Sequence, residues 1–521
     1  MKQRLPTLRA LRVKGGQTEP DAPDPSEPGG GASSAEDDAL AAASSGVVSG
    51  AIWSGATWLF GLALGFPVTV VLVRLMSATA YGELTVGLAT VGIITAIAGI
   101  GLSPAVTQIA SARIDDREAA ARDVAAAARP IARRAGALAC VTIVLLVTLG
   151  RGQFGAATWA VVALAPVAAL APTQGALLGY FRALRRPRIP ESAQMLATFG
   201  GAAGSVIAVV VGLRTSVEIA VVRSAAWLLG FAVLARTARI GSRPGAGRQT
   251  RKILAMGAPL MLASLMWTTI LQLDVLFVGL VRDPAAAGAY GPISRMSEFV
   301  ASTFAITGAY LLPALTASLA SDDHRTFRML YHRTSRFGLC LALPIAAVLL
   351  AVPTRAAHAV YGSDFAVDPT ILRVLTAGTL TAALLGFNSL ALEAGGRARL
   401  LAGRATVALG FNVVACATLV PAYGVAGAAW ATTLTLLLIN LLNSWFLWRT
   451  QGVLPWDRAI VFQVAIALLV AAAAAAASSR IGDDLVAACF VGAAVTVACA
   501  LTTGAVELRR NPAAWARLRD R

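Results

Sequence analysis

The sequence predicts an all-α integral membrane protein. About 14 transmembrane helices are expected, arranged as two pseudo-symmetric six-helix lobes plus two C-terminal helices. Three observations predict this. Of 521 residues, 57% are hydrophobic and only 14% are charged, against about 45–50% and about 25% in soluble domains. Many apolar runs approach or exceed the roughly 20 residues that carry a helix across a bilayer core. The basic residues fall in alternate gaps between those runs, as membrane orientation demands. A soluble enzyme and a wholly disordered chain are both excluded.

Residues 1–46 are polar and rich in Pro, Gly, Ser and acids. They bury too little apolar area to offset their ordering entropy, so a disordered cytoplasmic tail is expected. The first apolar run starts too late and is too long for a signal peptide. Fourteen spans follow, at 48–73, 83–104, 135–150, 157–181, 193–213, 217–238, 253–280, 285–312, 334–352, 370–393, 405–420, 425–448, 459–478 and 485–506. They are apolar on all sides, whereas barrel strands are shorter and alternate. The expected organisation is an N-terminal lobe at 47–238, a basic cytoplasmic linker at 239–252, a C-terminal lobe at 253–448, extra helices at 449–506 and a basic tail at 507–521.

The net charge of +17 does not mark a nucleic-acid binder, because its placement is topological. With the N-terminus inside, 35 of the 44 Lys and Arg residues lie in inner segments and seven in outer ones. That split supports an even span count with both termini cytoplasmic. The bases are almost all arginine, and with the alanine excess this points to a GC-rich bacterial genome. The inner connection 105–134 carries alternating charges and reads as a surface amphipathic helix or a solvated connector. Cys140, Cys340, Cys416, Cys489 and Cys499 all sit in apolar runs without a CxxC pair, as small buried residues do. The three histidines show no metal spacing, and no phosphate-binding or hydrolase motif occurs. No cofactor is expected.

An internal repeat relates the lobes. Tyr81-Gly82 is followed by Pro104-Ala105-Val106-Thr107, and Tyr290-Gly291 is followed at the same distance by Pro313-Ala314-Leu315-Thr316. Ala225-Ala226-Trp227 is echoed by Ala428-Ala429-Trp430. Six spans per lobe is an even number, so the lobes share one orientation about an axis along the membrane normal. Such a pair has a central cleft that rocking opens to either side, which is the machinery of a carrier.

Ionisable residues inside apolar spans are costly and mark functional positions. They are Arg223, Asp274, Arg295 and Glu298, with Arg74 and Glu393 near span ends. Asp274 and Arg295 lie at similar depth on adjacent spans, which predicts an ion pair. Arginine holds phosphate through a planar fork of donors. Arg74, Arg223 and Arg295 are therefore candidates for binding a phosphate-bearing substrate in the cleft, with Asp274 beside them. The bland alternatives are headgroup anchors for Arg74 and Arg223 and a structural tie for Asp274–Arg295. Glu298 and Glu393 are candidates for a coupling proton or sodium ion. Asn388, Asn412, Asn440 and Asn443 are read as interhelical packing. Trp53 and Trp58 are read as interfacial aromatics, with sugar stacking as the lesser alternative.

Several stretches resemble the polysaccharide-exporter branch of the multidrug/oligosaccharidyl-lipid/polysaccharide flippase superfamily. They are Leu72-Val73-Arg74-Leu75 with Ala80-Tyr81-Gly82; Gly257-Ala258-Pro259; Leu273-Asp274 with Gly288-Ala289-Tyr290 and Arg295; and Pro421-Ala422-Tyr423-Gly424-Val425-Ala426-Gly427-Ala428-Ala429. The resemblance covers about residues 46–450. It implies a two-lobed bundle with a V-shaped cleft in the bacterial inner membrane. Its partners would be membrane lipids and a polyprenyl-diphosphate-linked oligosaccharide, flipped outward without covalent chemistry. A cation-coupled multidrug antiporter of the same superfamily is the nearest competing reading, and would need an acidic cleft in the first lobe. A membrane glycosyltransferase or polymerase would need a large outer loop. The longest, 353–369 with Asp364 and Asp368, is small.

Overall fold

A computed structural model describes residues 65–510, apart from 112–115, 151–154, 185, 187, 239–246, 271, 309–310, 396–397 and 482. The expected tail at 1–46, Trp53, Trp58 and residues 511–521 lie outside the described residues. The described residues are helical, with no strand among them.

The first lobe holds α1 (Gly65–Leu75), α2 (Ala78–Ala98), α3 (Leu102–Ser111), α4 (Arg117–Leu149), α5 (Ala157–Ala183), α6 (Arg188–Val211) and α7 (Ser216–Thr237). The second holds α8 (Gly247–Ile270), α9 (Leu273–Val281), α10 (Pro284–Gly308), α11 (Leu311–Ala320), α12 (His324–Ala351), α13 (Pro353–Tyr361), α14 (Pro369–Leu384), α15 (Asn388–Ala394) and α16 (Ala398–Gln451). Two more helices follow, α17 (Arg458–Ser478) and α18 (Asp484–Arg510). Among the described residues, ten helical stretches are long and apolar enough to cross a membrane. The expected spans 1, 7 and 8 correspond to α1, the pair α8 and α9, and the pair α10 and α11.

Caps fix where these helices begin. Ser77 accepts the Ala80 amide before α2, and Thr215 and Glu218 close a capping box on α7. Asp323, Asp368 and Asp457 cap α12, α14 and α17. An unpaired amide at membrane depth is costly, so each cap stabilises one starting level.

Breaks occur where the backbone turns left-handed. Gly424 (φ 61°, ψ −134°) splits α16 into two antiparallel halves. A Cβ on Gly427 would stand 1.9 Å from the Leu419 carbonyl oxygen, so the two halves touch backbone to backbone. The expected spans 405–420 and 425–448 are these halves. The Gly99–Gly101 bend (Ile100 φ 45°, Gly101 φ 59°) and Gly386 (φ 73°) break two further spans that the sequence reads as continuous.

The repeat has a structural counterpart. Each repeated proline, Pro104 or Pro313, stands third in a ten-residue helix, α3 or α11. The Ala-Ala-Trp echo differs: Trp227 lines the central cavity, while Trp430 is 49% exposed on the outside of the bundle.

The segment 105–134 is not a separate connector but part of two helices. Residues 102–111 form α3, and α4 runs unbroken from Arg117 to Leu149. Ala121, Val124, Ala125, Ala128 and Ala132 bury one face of α4 against Leu102, Ala105, Val106 and Phe181. Its charges sit on the opposite face, where Glu118 and Arg122 pair at 2.7 Å. Boundaries shift too: α8 starts at Gly247, within the expected linker, α16 runs to Gln451, and α18 reaches Arg510.

The helices α17 and α18 are tied to the second lobe by polar groups. Fully buried Arg336 donates to Asp457 at 3.1 Å, and Gln463 donates to the Arg336 carbonyl. Arg355 donates to the carbonyls of Ser478 and Ile481. These bonds reward one docking geometry, which apolar packing in lipid does not by itself select.

Candidate functional site

The two lobes meet where α2 packs on α8, α9 and α10 and where α3 and α4 pack on α8. At the end that the charge count places outside, α2 and α10 cross in backbone contact. A Cβ on Gly82 would stand 1.6 Å from the Pro284 carbonyl oxygen, and one on Gly288 would stand 1.9 Å from that of Ala78. Toward the other end, a Cβ on Gly101 would lie 2.4 Å from the Gly257 carbonyl oxygen, and one on Gly257 would lie 2.4 Å from that of Ile100. Between these seams lies a cavity of about 530 Å³. The first lobe lines it with α1, α2, α5, α6 and α7, and the second with α9 and α10. Phe66 helps close one side, with its ring centroid 5.3 Å from that of Phe299 and 6.5 Å from that of Tyr361.

Arg223 and Arg295 both line this cavity, as does Glu298. Arg223 lies two turns into α7. Its Nε donates to Ser205 Oγ at 3.1 Å, and that hydroxyl donates to the Gly201 carbonyl at 2.6 Å. The small residues of α6 allow this approach. No described ion pair involves Arg223. Trp227, one turn further along α7, also faces the cavity and stacks on Phe231 at 5.9 Å.

Arg295 pairs with Glu298 on its own helix, Nη1 to Oε2, at 2.7 Å. The Arg295 side chain is 50% exposed and that of Glu298 18%, so the guanidinium reaches into the open space. The expected Asp274–Arg295 pair is not formed. Asp274 is buried inside the second lobe, where it accepts from Tyr290 Oη at 2.7 Å and Thr432 Oγ1 at 2.9 Å. Its neighbours Gln272 and Val275 line the cavity instead.

Arg74 is outside the cavity lining. Its guanidinium donates to the carbonyls of Val360 (3.1 and 2.7 Å) and Ala359 (3.3 Å) in the last turn of α13. A cation there suits the helix's negative end and links the first lobe to the second. Glu393 is exposed near the end of α15, away from the cavity. Tyr81, Thr85 and Gln272 are polar cavity residues that the sequence reading missed. Gln272 carried a usable signal, as an uncharged polar side chain in an apolar run beside Asp274. Among the described residues no three His, Cys, Asp or Glu side chains gather as a metal cluster.

This arrangement can hold an anion. Two guanidiniums face a mostly apolar space, one carboxylate offsets one of them, and hydroxyl, amide and indole groups complete the lining.

Comparison with known proteins places the fold. A sequence model of the family described as "Polysaccharide biosynthesis protein" matches residues 47–318. No curated protein matches the chain in sequence. Among solved structures, a lipid II flippase MurJ in an inward closed conformation aligns with TM-score 0.66 and 13% identity, covering 88% of this chain and 99% of that one. An inward-facing multidrug resistance MATE family transporter of the MOP superfamily aligns with TM-score 0.57 and 13% identity, over 76% and 98%. The MATE multidrug transporter DinF-BH aligns with TM-score 0.51 and 13% identity, over 79% and 97%. At such identities the likeness is one of fold. The family match spans more than half of the sequence, and the chain belongs to the polysaccharide biosynthesis protein family, with the fold of the MOP flippase superfamily.

Proposed function

We propose that the protein flips a polyprenyl-diphosphate-linked oligosaccharide from the inner to the outer leaflet of a bacterial inner membrane, for surface polysaccharide synthesis. The observation that carries this reading is the cavity between the lobes, with Arg223 facing it uncompensated by any described ion pair. A diphosphate diester bears two negative charges that must leave water to cross the bilayer. Guanidiniums fixed in a low-dielectric space replace its hydration, while the lipid tail stays in the surrounding membrane. Rocking about the seams then moves the headgroup across. A membrane potential, negative inside, drives net negative charge outward. Both termini are cytoplasmic in this scheme.

A cation-coupled multidrug antiporter would need an acidic cavity. The acid here is Glu298, and Arg295 holds it. A glycosyltransferase reading would rest on Asp364 and Asp368. Asp368 caps α14 through the Thr370 amide, and Asp364 accepts from Ser363 in an exposed turn. Glu298 lines the cavity and is the better candidate for ion coupling, with Glu393 the weaker one. Arg74 and Asp274 act on lobe contact and lobe packing in this scheme.

Gene deletion tests the reading. In a strain without a second copy, lipid-linked repeat units accumulate on the cytoplasmic leaflet and surface glycan is lost. Unchanged surface glycan would refute the proposal.

A further inference from the structure

The Arg295–Glu298 pair has a consequence for how the cavity is loaded. Both groups line the cavity and pair at 2.7 Å, so the carboxylate occupies part of the fork that a phosphate would use. Arg223 has no such competitor among the described ion pairs and rests on a neutral hydroxyl. The two arginines are therefore not equivalent. Arg223 is ready for an anion, whereas Arg295 is already held by one.

We propose that Glu298 is a built-in competitor for Arg295, and that it yields the guanidinium to the substrate's diphosphate by taking up a proton. This rests on the function proposed above. A phosphate oxygen that displaces Glu298 leaves its carboxylate in a mostly apolar space without a counter-charge. Such a group neutralises itself. Neutral Glu298 then donates through its own O–H to the Ser294 side or to a phosphate oxygen. One proton is bound per anion loaded, and it is released when the anion leaves and the pair re-forms.

The surrounding groups fit this role. Tyr81 of α2, Arg223 of α7 and Gln272 at the start of α9 face the same cavity. Asp274 of α9 is held by Tyr290 and Thr432 inside the second lobe, and Tyr361 of α13 donates to the Pro292 carbonyl. No charged side chain of α12 or α14 lines the cavity. Glu298 is the carboxylate among the lining residues. The proton also lowers the charge carried per cycle from two to one, so that loading and neutralisation occur together.

The test is calorimetric titration of the purified full chain with geranyl-diphospho-N-acetylglucosamine, a short diphosphate diester. Its charge is constant between pH 5.5 and 8, unlike a monoester, whose second proton leaves near about pH 6. Buffers of different ionisation enthalpy count the protons taken up. For wild type, affinity rises as pH falls, approaching about tenfold per pH unit, with up to one proton bound per ligand. E298Q is expected to bind with no proton uptake and no pH slope, and at pH 8 at least as tightly as wild type. R295Q, the second variant, should bind weakly at every pH with no slope. An E298Q protein that keeps the wild-type slope, or a wild type with none, overturns this inference alone. A wild type that binds no diester at any pH overturns the proposed function with it.

Discussion

Arg223→Ala weakens binding of a diphosphate diester by roughly tenfold to a hundredfold, and Arg223→Lys by less. The size follows from charge-assisted hydrogen bonds, each about 1.5–3 kcal/mol, with about 1.4 kcal/mol per factor of ten. Arg223 has nothing to lose to a competitor, because Ser205 Oγ is its hydrogen-bond partner. Lysine keeps the charge but not the planar fork. The pH slope of binding survives in Arg223→Ala, since Arg295 and Glu298 are intact. Calorimetric titration reads both quantities. A variant with wild-type affinity would remove Arg223 from the site.

Gly82→Ala holds the seam between α2 and α10 apart, the outer one in the proposed orientation. The added methyl would stand 1.6 Å from a backbone oxygen of Pro284, and a backbone cannot swing aside as a side chain does. The helices α2 and α10 must separate at that end. Gly257→Ala acts on the other seam in the same way, against the Ile100 carbonyl. The two variants are expected to push the lobes in opposite directions. With the five native cysteines replaced, a reporter Thr85→Cys lies in the cavity lining. In the Gly82→Ala background it reacts with an impermeant maleimide from outside at least about tenfold faster. In the Gly257→Ala background it reacts faster from inside only. Both variants slow turnover, because one closure is lost in each. Equal labelling in all backgrounds would show that these seams do not gate the cavity.

Much of this architecture is legible in the sequence because lipid leaves little choice. Every backbone amide must be paired within the chain, so long apolar runs become helices. The Gly424 hairpin was readable from Pro421 and Gly424 between two apolar runs. The breaks at Gly99–Gly101 and Gly386 were not, because the apolar runs continue through them. Counting residues from a span end gives depth and leaves azimuth open. Asp274 and Arg295 do lie on adjacent helices, yet Asp274 turns toward Thr432, 158 residues away in sequence. Arg74 lies at a span end, as the sequence indicates, but its side chain reaches a carbonyl 286 residues on, which counting along one helix does not reveal. In α4 the charges drew the eye, while the alanine face that packs on α3 carried the structural information.

The most direct test of the central claim is transport by the reconstituted chain. Proteoliposomes receive a fluorescent polyprenyl-diphospho-sugar in one leaflet, and an impermeant quencher in the other compartment reports its arrival. Wild type should move the lipid on a scale of minutes, Arg223→Ala far more slowly, and a cationic dye of similar size should not be carried. Transport of the dye without the lipid, or equal lipid movement with and without protein, would contradict the account.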